Sequence, residues 1–148
     1  MRMPNHPRVI AIAGLALLTA CMTGPDASVP QLAGSAWRAS GIDMGQGAVA
    51  SVVEGTEVTL EFDAEGRVSG RAGCNRYSAR YVADGNALRI EEAALTRMAC
   101  LQPGVMEQER AFVAALRSVA SARIDGDRLE LRRADGSLAV SLHRAGAD

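Results

Sequence analysis

Short segments in which apolar and polar residues alternate strictly constrain the fold of this chain more than any other feature. In Glu57–Phe62, Val58, Leu60 and Phe62 occupy every second position, and the residues between them are polar. Such patterning indicates a strand with one buried and one solvated face, and half-polar strands are typical of antiparallel sheets. The same reading predicts further strands at residues 67–72, 77–82, 88–90, 121–124, 128–133 and 138–143.

Turn signals separate these segments. Clusters rich in Asp and Gly at residues 63–66, 84–86, 125–127 and 134–137 predict tight turns between hairpin strands. Residues 32–40 are predicted to form a first strand with Trp37 in the core. Residues 41–55 are predicted to be a loop, and residues 93–100 a short strand.

One segment has helical periodicity. After Pro103-Gly104, residues 105–120 place Phe112 and Leu116 on one face of a predicted helix. Gln108 falls on the opposite, polar face, and Glu109 near the helix start suits the helix dipole. Because the stripe of bulky residues is single and a sheet needs cover, we expect this helix to pack on the core.

These elements predict a mainly β (α+β) domain. No segment alternates helix with strand, which argues against a parallel doubly wound sheet. The expected architecture is a curved antiparallel sheet or partly open β-barrel of about eight strands, with one helix packed over its open side.

The first residues predict export. Residues 1–20 combine a basic start, an unbroken apolar run at 9–18 and the sequence Leu18-Thr19-Ala20 before Cys21. The apolar run is too short to span a bilayer but has the length of a signal-peptide core. The four residues ending at Cys21 resemble the bacterial lipobox, which implies that residues 1–20 are removed and that Cys21 is acylated.

Residues 21–31 are rich in Pro, Gly and small polar residues, which predicts a flexible tether between lipid and domain. The residue after Cys21 is Met22 and not Asp, which favours an outer-membrane lipoprotein facing the periplasm over an inner-membrane one.

Two motifs carry a family resemblance. Their residues, within 70–77 and 95–100, include Gly73, Cys74, Asn75, Tyr77, Thr96, Met98 and Cys100. With Glu107 and Glu109 before Phe112 and Leu116 in the helix that follows, this spacing resembles the META domain, also called the HslJ-like family, over residues 32–144. The resemblance implies a compact barrel-like antiparallel sheet with one helix, often in envelope lipoproteins, and no established enzymatic activity. The implied fold also resembles the cracked barrel of a secretin pilot lipoprotein, a shape that leaves room for a hydrophobic cavity.

Cys74 and Cys100 are the two cysteines that remain when Cys21 is acylated. In an oxidising periplasm, two cysteines of one exported domain often form a disulfide. The alternative is a pair of buried thiols that act as small apolar residues. Asn75 is expected to serve the turn after Cys74, with a ligand role as the alternative.

Several function classes find little support. The chain has 16 basic and 17 acidic residues and loses two arginines with the leader, so it lacks the basic balance that a nucleic-acid partner favours. His143 is the one histidine after the leader, so neither a four-ligand zinc site nor a His-based nucleophilic triad is expected. We therefore expect no enzyme activity, metal or cofactor.

Five arginines are candidates for an anion-binding surface that would recognise lipid headgroups: Arg67, Arg71, Arg76, Arg80 and Arg97. The alternative, favoured by the sequence, is a solvated face in which they pair with Glu57 and Glu61 on the neighbouring strand.

The sequence is consistent with two functions. The first is a non-enzymatic, lipid-anchored envelope protein that acts through contacts with another envelope protein in stress tolerance. The second is a binding module that holds an acyl chain or small apolar ligand in the barrel. An unfilled cavity would favour the second function, and its lining would be Val58, Leu60, Phe62, Leu129 and Val140.

Overall fold

The computed structural model describes residues 31–45 and 47–146. This part of the chain forms ten strands and one helix. In chain order they are β1 (Ser35–Asp43), β2 (Val49–Ser51), β3 (Glu57–Phe62), β4 (Arg67–Gly73), β5 (Arg76–Asp84), β6 (Ala87–Ile90), β7 (Ala94–Leu95), α1 (Val105–Arg117), β8 (Val119–Asp125), β9 (Arg128–Arg133) and β10 (Leu138–Arg144).

Eight of the strands close into an antiparallel barrel. Around the ring, β10, β9, β8, β6, β5, β4, β3 and β1 are neighbours in that order, and β1 pairs with β10 to close it. The short strands β2 and β7 lie outside the ring and pair with β1 and β5, respectively. The predicted fold class is confirmed. The barrel is fully closed, whereas the sequence predicted a curved sheet or a partly open barrel.

Alternation places every second side chain inside the barrel. Leu60 and Phe62 of β3 and Leu129 and Leu131 of β9 are buried, as is Trp37 of β1. These residues belong to one hydrophobic cluster that spans the barrel. A ring of short strands therefore surrounds a single core, as the period-two pattern predicts.

Helix α1 packs its apolar face against the sheet, with contacts to strands β1, β4, β6 and β10. Phe112 and Leu116 are buried from this face, and the ring of Phe112 meets Tyr77 edge-on at 5.4 Å between centroids. Gly104, with φ at +81°, precedes the first helical residue. The helix thus completes the core that the strands leave uncovered.

Some predicted boundaries were wrong. The first strand begins at Ser35 and continues to Asp43, and β2 lies within the predicted loop at 41–55. Residues 93–100 contain only the two-residue strand β7. The helix ends at Arg117 instead of residue 120, because Val119 already pairs with Arg133 in the sheet.

Candidate functional site

The turn between β4 and β5 lies at the centre of the two sequence motifs. The Ala72 N–H donates to the Asn75 carbonyl at 2.8 Å, and this bond closes the turn that carries Gly73 and Cys74. Cys74 and Cys100 form a disulfide, with their Cα atoms 6.0 Å apart. The predicted disulfide is confirmed, and the alternative of two free thiols is wrong.

The side-chain amide of Asn75 is fully used in hydrogen bonds. Its Oδ1 accepts from Thr96 Oγ1 at 2.8 Å and from the Met98 N–H at 2.7 Å. Its Nδ2 donates to the Met98 carbonyl at 3.1 Å and to Glu109 Oε1 at 2.8 Å. Two acceptor and two donor positions exhaust the capacity of an amide side chain. Asn75 therefore joins the turn, the 96–98 segment and helix α1 as a structural residue.

Glu109 is a central residue of this site, although the sequence placed it only among the residues that carry the family resemblance and gave it no site role. It is 5% exposed, and its Oε2 accepts from the Asn75 N–H at 2.7 Å. The helical pattern treats a Glu in the first turns as a solvated residue that suits the dipole. Its partner lies 34 residues away in sequence, so no local pattern could have identified the contact.

Gln108 corrects the predicted orientation of the helix. The sequence places it on the polar face, but it is 2% exposed. Its Oε1 accepts from the Val53 N–H at 2.6 Å, and its Nε2 donates to Thr56 Oγ1 at 3.1 Å. The buried amide is tolerated because both ends find partners on the segment before β3.

Steric crowding explains why the motif has a glycine at position 73. Gly73 has φ at +107°, and a Cβ built there would lie 2.8 Å from Gln108 Nε2. A side chain at Gly73 would therefore be strained by the backbone angle and would displace the amide that ties α1 to the segment before β3.

Tyr77 is the most buried of the motif's polar residues on β5. Its hydroxyl donates to the Thr59 carbonyl at 2.8 Å across the sheet. Burial, with the nearby Glu61 carboxylate, raises the pKa of Tyr77 above its ordinary value. A phenol held neutral in this way acts as a hydrogen-bond donor within the core and not as a proton-transfer group.

The segment beyond Thr96 is fixed but exposed. Thr96 exchanges two hydrogen bonds with Arg76, one through its N–H at 3.0 Å and one through its hydroxyl at 3.1 Å. Met98 is 56% exposed and Leu101 is 96% exposed. The disulfide and the Asn75 bonds therefore present two apolar side chains to solvent on a rigid support. We call residues 96–101 the pinned loop.

The barrel interior is filled by side chains. The five residues predicted to line a cavity, namely Val58, Leu60, Phe62, Leu129 and Val140, are all 2% exposed or less and belong to the core cluster. The cavities characterised in the described part of the chain have linings that include none of these five. The largest of them, about 550 Å³, lies beside α1 and is lined by residues such as Met44, Ala111 and Ala114.

The described residues contain few side chains suited to catalysis or metal binding. His143 lies in a surface cleft with Arg38 and Asp127, and the lining of this cleft includes no residue of the disulfide turn. Within residues 31–45 and 47–146, no cluster of three or more His, Cys, Asp or Glu side chains could hold a metal ion. The motif residues thus build a rigid support, and their hydrogen bonds are spent within the protein.

Comparisons with known proteins agree with this geometry. The family model of the META domain matches residues 30–145. The chain belongs to the META domain family. The match covers the whole barrel, with both motifs and α1. No curated protein is significantly similar to the chain in sequence.

Solved structures share the fold of this META domain. An NMR structure of a protein from Burkholderia xenovorans matches with a TM-score of 0.67 and 25% identity, covering 97% of this chain and 99% of the other. A DUF4847 family protein from Bacteroides vulgatus ATCC 8482 matches with a TM-score of 0.54 and 14% identity, covering 80% and 97%, respectively. The second likeness shows the fold alone.

The predicted signal peptide at 1–20, Cys21 and the tether up to residue 30 lie outside the described residues. Within the described part of this META domain, no helix combines the length and the apolar character needed to cross a bilayer.

Proposed function

We propose that this protein is a non-enzymatic, lipid-anchored envelope protein whose META domain acts through contacts with another envelope protein in stress tolerance. The observation that carries the proposal is the filled barrel. With Phe62 and Leu129 packed in its centre, the domain offers its surface, and not an internal cavity, for binding.

The Cys74–Cys100 disulfide supports export to an oxidising compartment. The lipobox resemblance implies a diacylglyceryl group and an amide-linked acyl chain on Cys21. These chains together would hold the domain at the membrane, because stable anchoring needs more than one acyl chain. Mass spectrometry of the mature protein from its own membrane tests this part. An unmodified Cys21 would refute the anchor.

The groove beside α1 is the surface best suited to a protein contact. It combines the exposed Met44 with small residues such as Ala111 and Ala114, and Glu107 and Arg110 lie in its lining. Methionine and arginine are enriched in protein interfaces, and this groove offers both in Met44 and Arg110.

The test places a photo-crosslinking amino acid at Ala114 in the native host. Ala134, in the exposed β9–β10 turn, is the matched control position. We expect a protein adduct from position 114 and none from 134, and we expect Ala114→Arg to reduce survival under envelope stress without lowering the melting temperature. Equal survival of Ala114→Arg and the parent would contradict the proposal.

The filled interior argues against the alternative function, in which the barrel holds an apolar ligand. Native mass spectrometry distinguishes the two functions, because a lipid retained on the folded domain would favour the binding module.

A further inference from the structure

The outer face of strands β4 and β5 carries two arginine pairs. Arg67 is the register partner of Arg80, and Arg71 is the register partner of Arg76. All four side chains are exposed. Residues directly opposite in an antiparallel pair have Cβ atoms about 4.5–5.5 Å apart, and like charges there are destabilising. The concentration of positive charge on this face therefore destabilises the pairing of β4 and β5.

The two acidic residues predicted to pair with these arginines do not form ion pairs with them. Glu57 forms an ion pair with Arg38, at 3.4 Å between Oε1 and Nη2. Glu61 stands opposite Ser69, in the register between the two arginine pairs. Among the ion pairs of the described residues, none involves an arginine of these two pairs. Glu91, whose N–H donates to the Arg80 carbonyl, borders the face without an ion pair to it.

Exposed apolar side chains flank the same arginines. Val82 follows Arg80 on the outer face of β5 and is 62% exposed. At the other end, the pinned loop is joined to Arg76 through Thr96 and carries Arg97, Met98 and Leu101. Leu101 is 96% exposed. We call the two arginine pairs with Val82 and the pinned loop the arginine face.

We propose that the arginine face binds the surface of a lipid bilayer that carries anionic phosphate headgroups. Arginine guanidinium groups bind phosphate oxygens in a bidentate manner, and a bound phosphate would relieve the repulsion within each pair. Apolar side chains among basic ones favour insertion at the boundary between headgroups and acyl chains. A free anion would leave Leu101 and Met98 without a role.

The entry of the chain into the barrel agrees with this orientation. The Gly34 N–H donates to the Phe62 carbonyl, and Phe62 pairs with Val68 beside Arg67. The N-terminal part of the chain therefore joins the domain next to one end of the arginine face. The inference itself needs neither acylation of Cys21 nor a protein partner, so it stands apart from the proposed function.

The test measures binding of residues 22–148 to vesicles. The core described above lies wholly between Leu32 and Leu142, so this part of the chain retains the whole folding unit. We expect it to sediment with phosphatidylcholine vesicles that contain phosphatidylglycerol as a quarter of the lipid, and not with pure phosphatidylcholine vesicles. The difference should shrink as salt is added.

Two double variants separate the face from total charge. Arg71→Gln/Arg76→Gln should weaken binding about 25-fold, at about fivefold for each basic residue near the surface. Arg117→Gln/Arg123→Gln removes the same charge from exposed positions on α1 and β8 and should change binding less than twofold. Equal losses in both double variants would overturn the proposal.

Two further measurements test the membrane as the source of the phosphate. Leu101→Ala should weaken binding at unchanged salt dependence, because less apolar surface enters the interface. Inorganic phosphate should compete no better than chloride at matched ionic strength. Unchanged binding of Leu101→Ala would contradict insertion into the bilayer surface, and selective competition by inorganic phosphate would assign the face to free anions. Either result would overturn the membrane proposal.

Discussion

Asn75 and Glu109 are joined by two hydrogen bonds that clamp helix α1 to the β4–β5 turn. The backbone N–H of Asn75 donates to one carboxylate oxygen at 2.7 Å and its side-chain amide donates to the other at 2.8 Å. Both residues are buried. Each of the two buried donors needs its own acceptor oxygen. The interaction therefore requires a carboxylate, which has two acceptor oxygens, and not only a polar group of similar size.

Glu109→Gln should therefore be strongly destabilising although it is nearly isosteric. One of the two Asn75 donors would face an NH₂ group, and we expect unfolding free energy to fall by about 2–3 kcal/mol. Glu107→Gln, two residues earlier and exposed on the same helix, should change it by less than about 0.5 kcal/mol. Urea denaturation followed by circular dichroism measures both, and similar midpoints for the two variants would refute the role assigned to Glu109.

Loss of the disulfide should lower stability without changing the fold. The bond closes a loop with a sequence separation of 26 residues, which corresponds to about 3.5 kcal/mol in the chain-entropy model. Cys74→Ala/Cys100→Ala should show this loss in denaturant unfolding, and its midpoint should no longer respond to a reducing agent. A parent protein whose midpoint is unchanged by reductant would contradict the prediction.

Gly70→Ala should be far more damaging than a glycine replacement in a turn. A Cβ at Gly70 would collide with the backbone carbonyl oxygen of Thr59, which cannot move without breaking the sheet. Gly85, at φ of +58° in the β5–β6 turn, has nothing within 4 Å of a built Cβ. Gly85→Ala should cost about 1–2 kcal/mol from backbone strain alone, and Gly70→Ala should cost more. Equal melting temperatures for the two variants would rule out the steric argument.

The tyrosines should make the protein sensitive to high pH. Burial raises the pKa of Tyr77, and it also raises the pKa of Tyr81, with contributions from Asp63 and Glu65. A phenol whose folded pKa is raised contributes its stability below the unfolded pKa of about 10 and loses it as pH rises above that value. We expect tyrosinate absorbance to appear together with unfolding. Tyr77→Phe should weaken the alkaline loss, and native-state ionisation near pH 10 would contradict the assignment.

Arg133 should matter because its partner is buried. Asp43 is 3% exposed and pairs with Arg133 at 2.5 Å. Burial opposes ionisation of Asp43, but hydrogen bonds from the Gly45 N–H and Arg133 hold its pKa below the ordinary value. This contribution to stability is present above pH about 4 and is lost as pH falls through the lowered pKa.

Arg133→Met should therefore lower the unfolding free energy at neutral pH by about 3 kcal/mol, since it leaves a buried carboxylate without its cation. The gap between Arg133→Met and the parent should narrow on acidification below pH about 4. Thermal unfolding across pH values measures the gap, and a gap that is constant with pH would show that Asp43 is not the relevant partner.

Local pattern predicted the strands well where the pattern is strong. The bounds of Glu57–Phe62 and Arg128–Arg133 were predicted correctly because alternation and flanking turns agree there. Strand β2 was missed because its three residues are all exposed, so no buried side chain marks it. Closure of the ring depends on pairing between β1 and β10, which no local pattern specifies.

The candidate site shows the same limit. The cysteines, Asn75 and Thr96 were recognised from their motifs. Gln108 was assigned to the polar face of the helix, and Glu109 to a favourable interaction with the helix dipole. Their partners are a backbone N–H at Val53 and the turn at Asn75. A buried polar residue is therefore indistinguishable from a solvated one until the distant segment that satisfies it is in place. The opposition of Arg71 and Arg76 likewise becomes visible only with strand register.

Closure of the ring by its first and last strands has a consequence for folding. Ser40 and Ser141 meet across this seam through their hydroxyls, at a sequence separation of 101 residues. Contacts of such separation raise contact order, which slows folding to milliseconds or longer. The barrel cannot close until β10 has been delivered, so a chain truncated before Leu138 leaves the edges of β1 and β9 unpaired. Unpaired edges invite aggregation and proteolysis, so ring closure separates a chain that reaches β10 from one that stops short of it.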